Sequence, residues 1–184
     1  MGAIDADIIG FWTAAGPAKW FARLPAFDES IRLKFEPVHH RAARGEFEHW
    51  MQTAEGALAL MLLLDQFPRN LYRGSAHAFA TDPLARSLAE HALGEGYDRA
   101  VEPSLRPFFY LPFEHSESIA NQDRSVELFD AHDAATGDVN SLKWAVLHRD
   151  IIRRFGRFPH RNRALGREST PAEEAFLKEG GFAG

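Results

Sequence analysis

The chain contains no cysteine. Disulfides, thiolate metal sites and cysteine nucleophiles are excluded together, and a reducing cytoplasm is the expected setting. Lysine is also scarce, with four residues against seventeen arginines. Up to Trp12 there is no Lys or Arg, only Asp5 and Asp7, so the basic start of a secretory signal is missing. The longest apolar run covers residues 57–64. It is far shorter than the ~18 residues that cross a bilayer, so no membrane partner is expected. Bounded by Gly56 and Asp65, it reads as a buried helix. No stretch alternates apolar and polar residues as a half-buried strand does, and no solenoid repeat is visible. Also missing are His-Glu-x-x-His, Gly-x-Ser-x-Gly, a P-loop and a dinucleotide fingerprint. No cofactor and no metal are therefore expected.

What is present is an ordinary globular composition. Of 184 residues, 45% are hydrophobic and 26% charged, enough for one domain over residues 1–184 with a full core. The net charge of −5 disfavours nucleic acid as a partner. The charge is unevenly spread. Seven arginines fall between Arg149 and Arg167 against the single acid Asp150, giving that segment +6 and the remainder −11. Arginine is suited to bidentate grip on carboxylate or phosphate.

Helix signals recur along the chain. Ile4, Ile8, Phe11 and Trp12 share a face. Asp28 reads as the N-cap of a helix that carries Ile31, Phe35 and Val38, kinks at Pro37 and ends near Gly45. Residues 46–50 form a short turn. Thr53 caps a helix over residues 54–67, apolar nearly all round and so central, which Pro68 ends. Asp82 caps the next helix, which Gly94 stops. Ser116 opens another, reaching about residue 134, with Ile119, Val126 and Phe129 inward. Ser141 caps a helix to Phe155. Thr170-Pro171-Ala172-Glu173 is a capping box. The fold class is all-α, an antiparallel array of about seven or eight helices without a sheet. Trp12, Trp20, Trp50 and Trp144 lie in apolar patterns and read as core.

A short motif occurs twice. Asp65-Gln66-Phe67-Pro68-Arg69-Asn70 follows the central helix, and Gly156-Arg157-Phe158-Pro159-His160-Arg161-Asn162 follows the penultimate one. Each is succeeded by a glycine turn, at Arg73-Gly74 and at Gly166-Arg167. Two readings stand for these polar groups. They offset helix C-termini and lock helices by ion pairs, or they line a site for an anion.

These segments, with Phe79-Ala80-Thr81-Asp82-Pro83-Leu84-Ala85-Arg86 and Phe108-Phe109-Tyr110-Leu111-Pro112-Phe113-Glu114-His115-Ser116-Glu117, resemble the bacterial family catalogued as domain of unknown function 924. The likeness extends over almost the whole chain, including Asn121-Gln122 and the tail from Leu165 to Thr170. It implies a helical fold of the tetratricopeptide-like superfamily and no established function.

The leading expectation is a ligand-binding helical domain for an anionic small molecule or acidic peptide. Its binding residues would be Arg69, Asn70, Arg73, Gln122, Arg157, Arg161, Asn162 and Arg167. The alternative is a small hydrolase-type enzyme in which His115, Glu117 or His160 supplies acid–base chemistry. For Ser116 and Glu117 the plainer roles are a helix cap and a favourable first-turn charge. A protein-interaction scaffold is the third reading. The Glu36/His39 and Glu46/His49 pairs have the spacing that di-iron bundles place on two separate long helices, but Pro37 sits within the first pair and only a few residues about Gly45 separate the two, and they are read as coincidence.

Overall fold

A computed structural model of the chain describes residues 4–138 and 140–184. Every regular element among them is helical, and eight α-helices reach eight residues or more. The chain divides into two compact units. One comprises the chain up to Arg73 with His77–Pro112, the other Gly74–Ala76 with Phe113–Gly184.

The first unit contains α1 (Ile4–Ala15), α2 (Pro17–Trp20), α3 (Pro25–Ala43), α4 (Ala54–Met61), α5 (Phe67–Leu71), α6 (Asp82–Gly94), α7 (Tyr97–Ala100) and α8 (Pro107–Glu114) as far as Pro112. As its composition demands, α4 is central: residues 57–64 are at most 2% exposed. Aromatic rings close the core beside it. Trp12 meets Trp20, Phe67 and Phe108 at centroid distances of 6.1, 5.6 and 5.7 Å. Thr53 caps α4 by accepting the Gly56 N–H at 3.1 Å. Asp28 is not the cap of α3. That helix starts at Pro25, so Asp28 lies in its first turn with the carboxylate turned to other work. Asp82 likewise is the first residue of α6 rather than its cap, and Thr81 precedes it without a side-chain capping bond.

Pro68 does not end the central helix. A π turn, Leu62–Gln66, joins α4 to α5, and the chain stays helical to Leu71. The cause is local. A proline ring clashes with the carbonyl four residues back and offers no N–H. Widening the turn diverts the Phe67 N–H to the Leu62 carbonyl. Two buried carbonyls then lose their helical donors: Leu63, whose partner Phe67 has been diverted, and Leu64, whose partner would be Pro68. Both find replacements. His39 Nδ1 is 2.8 Å from the Leu63 oxygen, and Thr81 Oγ1 donates to the Leu64 oxygen at 2.5 Å. Since a carbonyl only accepts, His39 carries its proton on Nδ1. Burial pushes that imidazole below its ordinary value, against the opposing effect of the Leu63 hydrogen bond.

The second unit is built on α9 (Ile119–Thr136) and α10 (Ser141–Phe155), which pack along each other across a short turn, followed by α11 (Pro171–Lys178). Ile151, Ile152 and Phe158 form its apolar centre, with Phe155, Phe176 and Phe182 against them. The Thr170 capping box is complete: Thr170 Oγ1 accepts from Glu173 N at 3.3 Å, and Glu173 Oε2 accepts from Thr170 N at 2.7 Å. Four local expectations shift. Ser141 is the first residue of α10 rather than its cap, a position that Asn140 takes. Ser116 stands ahead of α9, which Ser118 precedes, and its hydroxyl oxygen accepts from Ser118 N and Asn121 Nδ2 instead. Ile119, at the first position of α9, is largely exposed. Trp144 is also exposed, and so is not core.

Candidate functional site

Charge in the first unit is organised around two arginines. Arg69, one turn beyond Asp65, reaches Asp82 with both terminal nitrogens, at 2.9 and 3.0 Å, and the Asp65 carbonyl at 2.6 Å. Asp65 is fully buried, with its carboxylate 3.4 Å from Arg69 and 2.5 Å from the Gln66 amide. Arg73 follows the end of α5 and grips Asp28 through Nε at 2.6 Å and Nη2 at 3.0 Å. Asn70 Nδ2 donates to the same Asp28 carboxylate at 2.8 Å. One carboxylate thus receives an amide and a guanidinium.

That group forms the wall of an open cavity of about 280 Å³, lined by Pro25, Asp28, Glu29, Arg32, Asn70, Leu71 and Arg73. Asn70 and Arg73 are among the residues expected from sequence. Asp28, Glu29 and Arg32 were not named as binding residues, and only their spacing on one helix could have signalled them. Arg32 belongs to the cavity and to a second group. It donates to Glu36 Oε1 at 3.0 Å and to the Leu71 carbonyl. Beyond Glu36 lies Tyr72, whose hydroxyl is 3.2 Å from His40 Nε2. Burial foremost, with the nearby Glu36 carboxylate, pushes the Tyr72 hydroxyl up to about 12.

The second unit repeats the carboxylate clamp. Glu173, 2% exposed, receives Arg157 Nε at 2.6 Å, Arg157 Nη2 at 2.8 Å and Asn162 Nδ2 at 3.3 Å. The Arg157 pair foremost, against burial, holds the Glu173 carboxyl down at about 2. Arg167 grips Glu117 at 2.7 and 3.0 Å and also bonds Asn162 Oδ1 and the Phe158 carbonyl. Burial pushes the Glu117 carboxyl up, but Arg167, the Phe158 N–H and Arg161 outweigh it and leave the group below its ordinary value. Arg161 is buried, donates to the His115 carbonyl at 2.9 Å and lies 4.4 Å over the Phe158 ring. Gln122, fully buried, donates to the Glu114 and Ser116 carbonyls at 2.6 Å each.

The structure therefore gathers Glu117, Arg161, Asn162 and Arg167 around Phe158, with Arg157 joined to them through Glu173. His160 lies 5.6 Å from the Phe158 ring and 5.2 Å from Phe182. His115 is half-buried beside the chain that leads to α9. Sequence reasoning passed over a closer acid–base pair: Glu114 Oε1 lies 3.2 Å from His148 Nδ1, both buried. Part of the +6 segment is also neutralised, since Asp123 lies 3.8 Å from Arg149 and 3.0 Å from Arg153.

For a metal, among the described residues, His132, Asp133 and Asp138 bring one ligand atom each within 4.8 Å of one another. Their carboxylates serve the α9–α10 turn. Asp133 accepts from Leu142 N at 3.0 Å, and Asp138 accepts from Asn140 N at 2.9 Å and Ser141 Oγ at 2.6 Å. No described helix is long and apolar enough to cross a membrane.

Comparison with known proteins gives one family and one close structural likeness. The family model described as bacterial protein of unknown function, DUF924, matches residues 8–181. A solved structure of a protein of unknown function from Agrobacterium tumefaciens is similar at 52% identity. The match covers 96% of this chain and 98% of that chain, with a TM-score of 0.90. None of the curated proteins matches.

Proposed function

The chain belongs to this bacterial family of unknown function, and we propose that it serves as a helical ligand-binding protein whose first-unit cavity receives a small anionic molecule or the carboxylate of an acidic peptide. One observation carries the reading: Asn70 and Arg73, with Arg32, line a cavity of about 280 Å³. That volume lies at the small end of ligand sites. Asp28 acts as the resident counter-ion. An incoming carboxylate, sulfate or phosphate exchanges with it, taking the guanidinium of Arg73 by charge-assisted bonds. Arg157, Arg161, Asn162 and Arg167 we assign to holding residues 156–168 in shape, and Gln122 to holding the backbone at Glu114 and Ser116. The absence of cysteine suits a cytoplasmic setting.

Isothermal titration with sulfate, inorganic phosphate, a dicarboxylate and an acidic peptide tests the proposal. Arg73→Ala is expected to weaken binding at least about tenfold, or ~1.4 kcal/mol. Heats absent for all four probes, or unchanged in Arg73→Ala, overturn it. A second reading, an acid–base enzyme, is favoured by the buried Glu114–His148 pair, since Nδ1 placed 2.8 Å from the Trp144 carbonyl and 3.2 Å from the Glu114 carboxylate fixes the orientation of the imidazole. A hydrolase screen in which His148→Ala equals the unaltered protein removes it.

A further inference from the structure

The lining of the first-unit cavity is balanced in charge. Arg32 and Arg73 bring two positive charges, Asp28 and Glu29 two negative ones, and Pro25 and Leu71 supply apolar surface. The charges stand as pairs. Arg73 holds Asp28 through Nε at 2.6 Å and Nη2 at 3.0 Å, and the Asn70 amide donates to the same carboxylate at 2.8 Å. Arg32 Nε lies 3.6 Å from Glu29, and Arg32 Nη1 donates to Glu36 at 3.0 Å. A ligand that carries only negative charge solves half of the exchange. It takes the guanidinium of Arg73 and the amide of Asn70, and gives Asp28 nothing in return. The Asp28 side chain is 17% exposed, so water compensates it only in part. Two carboxylates then share one site and repel each other, with Glu29 next to Asp28 on α3 as a third negative group.

We propose that the cavity selects a small zwitterion of the α-amino acid class, one molecule that brings both the carboxylate and the ammonium with which the Asp28–Arg73 pair can exchange. This rests on the cavity being the anion site argued above. The ligand carboxylate takes Arg73 and Asn70, and the ligand ammonium takes Asp28. Each resident charge then trades one partner for another, and none is stranded. The balance of charge in the lining is kept, where a bare anion upsets it. An ammonium has three N–H donors, and the Asp28 carboxylate with its neighbour Glu29 offers acceptors for them. In an α-amino acid both charged groups sit on one carbon, which matches two protein groups that are in direct contact. In a peptide at least one amide separates the terminal charges, and the match is lost. A short apolar side chain meets Pro25 and Leu71.

Alanine, propionate and ethylamine are the probes, because propionate lacks only the ammonium of alanine and ethylamine only the carboxylate. Sulfate reports on the anion site by itself. Isothermal titration of the unaltered protein at neutral pH, which needs no variant, should show alanine binding about tenfold or more tightly than either analogue. Asp28→Asn, checked for folding by circular dichroism, should bring alanine down to the level of propionate. Arg73→Ala should weaken alanine and propionate alike. Sulfate binding without alanine binding, or alanine and propionate binding equally, overturns the zwitterion reading and leaves the anion site standing. A margin for alanine that survives in Asp28→Asn also overturns it, since the ammonium is then held by another group. Ethylamine matching alanine does the same, because the carboxylate then adds nothing. If alanine, propionate and sulfate all fail to bind, the anion site itself fails and the zwitterion reading falls with it.

Discussion

Thr81→Val tests whether the π turn owes its stability to donors borrowed from elsewhere. The substitution keeps the shape of a side chain that is 9% exposed and removes the hydroxyl that donates to the Leu64 carbonyl at 2.5 Å. Leu64 is fully buried, so water has no easy route to its oxygen. A buried acceptor left without a donor costs about 1–3 kcal/mol. The double substitution is the sharper test. Pro68→Ala returns an N–H four residues after Leu64, and that N–H can serve the same oxygen. In a Pro68→Ala background the cost of Thr81→Val should fall below about 1 kcal/mol, a positive coupling between residues with no charge between them. Urea unfolding of the four proteins, with hydrogen exchange at residues 62–71 as a local readout, measures it. A Thr81→Val cost under about 0.5 kcal/mol, or the same cost in both backgrounds, refutes the account of Pro68 given above.

Two further outcomes follow from single residues. Glu173 titrates at about 2 against an ordinary 4.5, which at ~1.36 kcal/mol per tenfold is roughly 3 kcal/mol, reduced to about 2 because Arg157 is partly exposed. A lowered carboxyl stabilises the fold above its unfolded value and loses that contribution as pH falls through the folded one. Glu173→Gln should therefore be less stable by about 2 kcal/mol at neutral pH, with the gap closing between about pH 4.5 and 2; parallel pH–stability curves would contradict this. Gly56→Ala should destabilise, although alanine normally favours a helix over glycine by about 1 kcal/mol. Its Cβ would stand 2.2 Å from the Trp50 carbonyl oxygen, so a raised melting temperature would show that this turn yields freely.

How much of this was legible in the sequence depended on how far each interaction reaches. Thr53 and Thr170 act on N–H groups three residues away, and both caps were readable. The apolar girth of residues 57–64 announced a central helix. Pro68 was misread because the local rule, that proline stops a helix, is correct until distant groups satisfy the carbonyls it orphans. His39 lies 24 residues from Leu63, and Thr81 lies 17 from Leu64. Asp28 looked like a cap because an acid before an apolar face fits a cap and a first turn equally; Pro25 was the true start. The arginines were visible as a charge excess, but their partners were not. Arg73 reaches 45 residues to Asp28, and Arg167 reaches 50 to Glu117. Composition carries no information about such pairings.

The doubled Phe-Pro motif gains its physical meaning from those pairings. In each unit an asparagine amide and a guanidinium converge on one carboxylate: Asn70 and Arg73 on Asp28, Asn162 and Arg157 on Glu173. The copies differ in access. Around Asp28 the side chains of Arg73 and Asp28 are 36% and 17% exposed and border an open cavity, whereas Glu173 is sealed. An exposed ion pair contributes about 0–1 kcal/mol, because solvent competes with it, and for the same reason a ligand can. In the second pair Arg157 is 28% exposed but its carboxylate is buried, and removing the arginine is costly because it leaves a buried charge without its partner. Arg73→Ala should therefore change stability by no more than about 1 kcal/mol while removing anion binding. Arg157→Ala should leave anion binding intact and destabilise the protein more than Arg73→Ala does. Thermal unfolding and sulfate titration of the two variants separate these outcomes. The reverse pattern, with Arg157→Ala abolishing binding and Arg73→Ala sparing it, would move the ligand site to the second clamp.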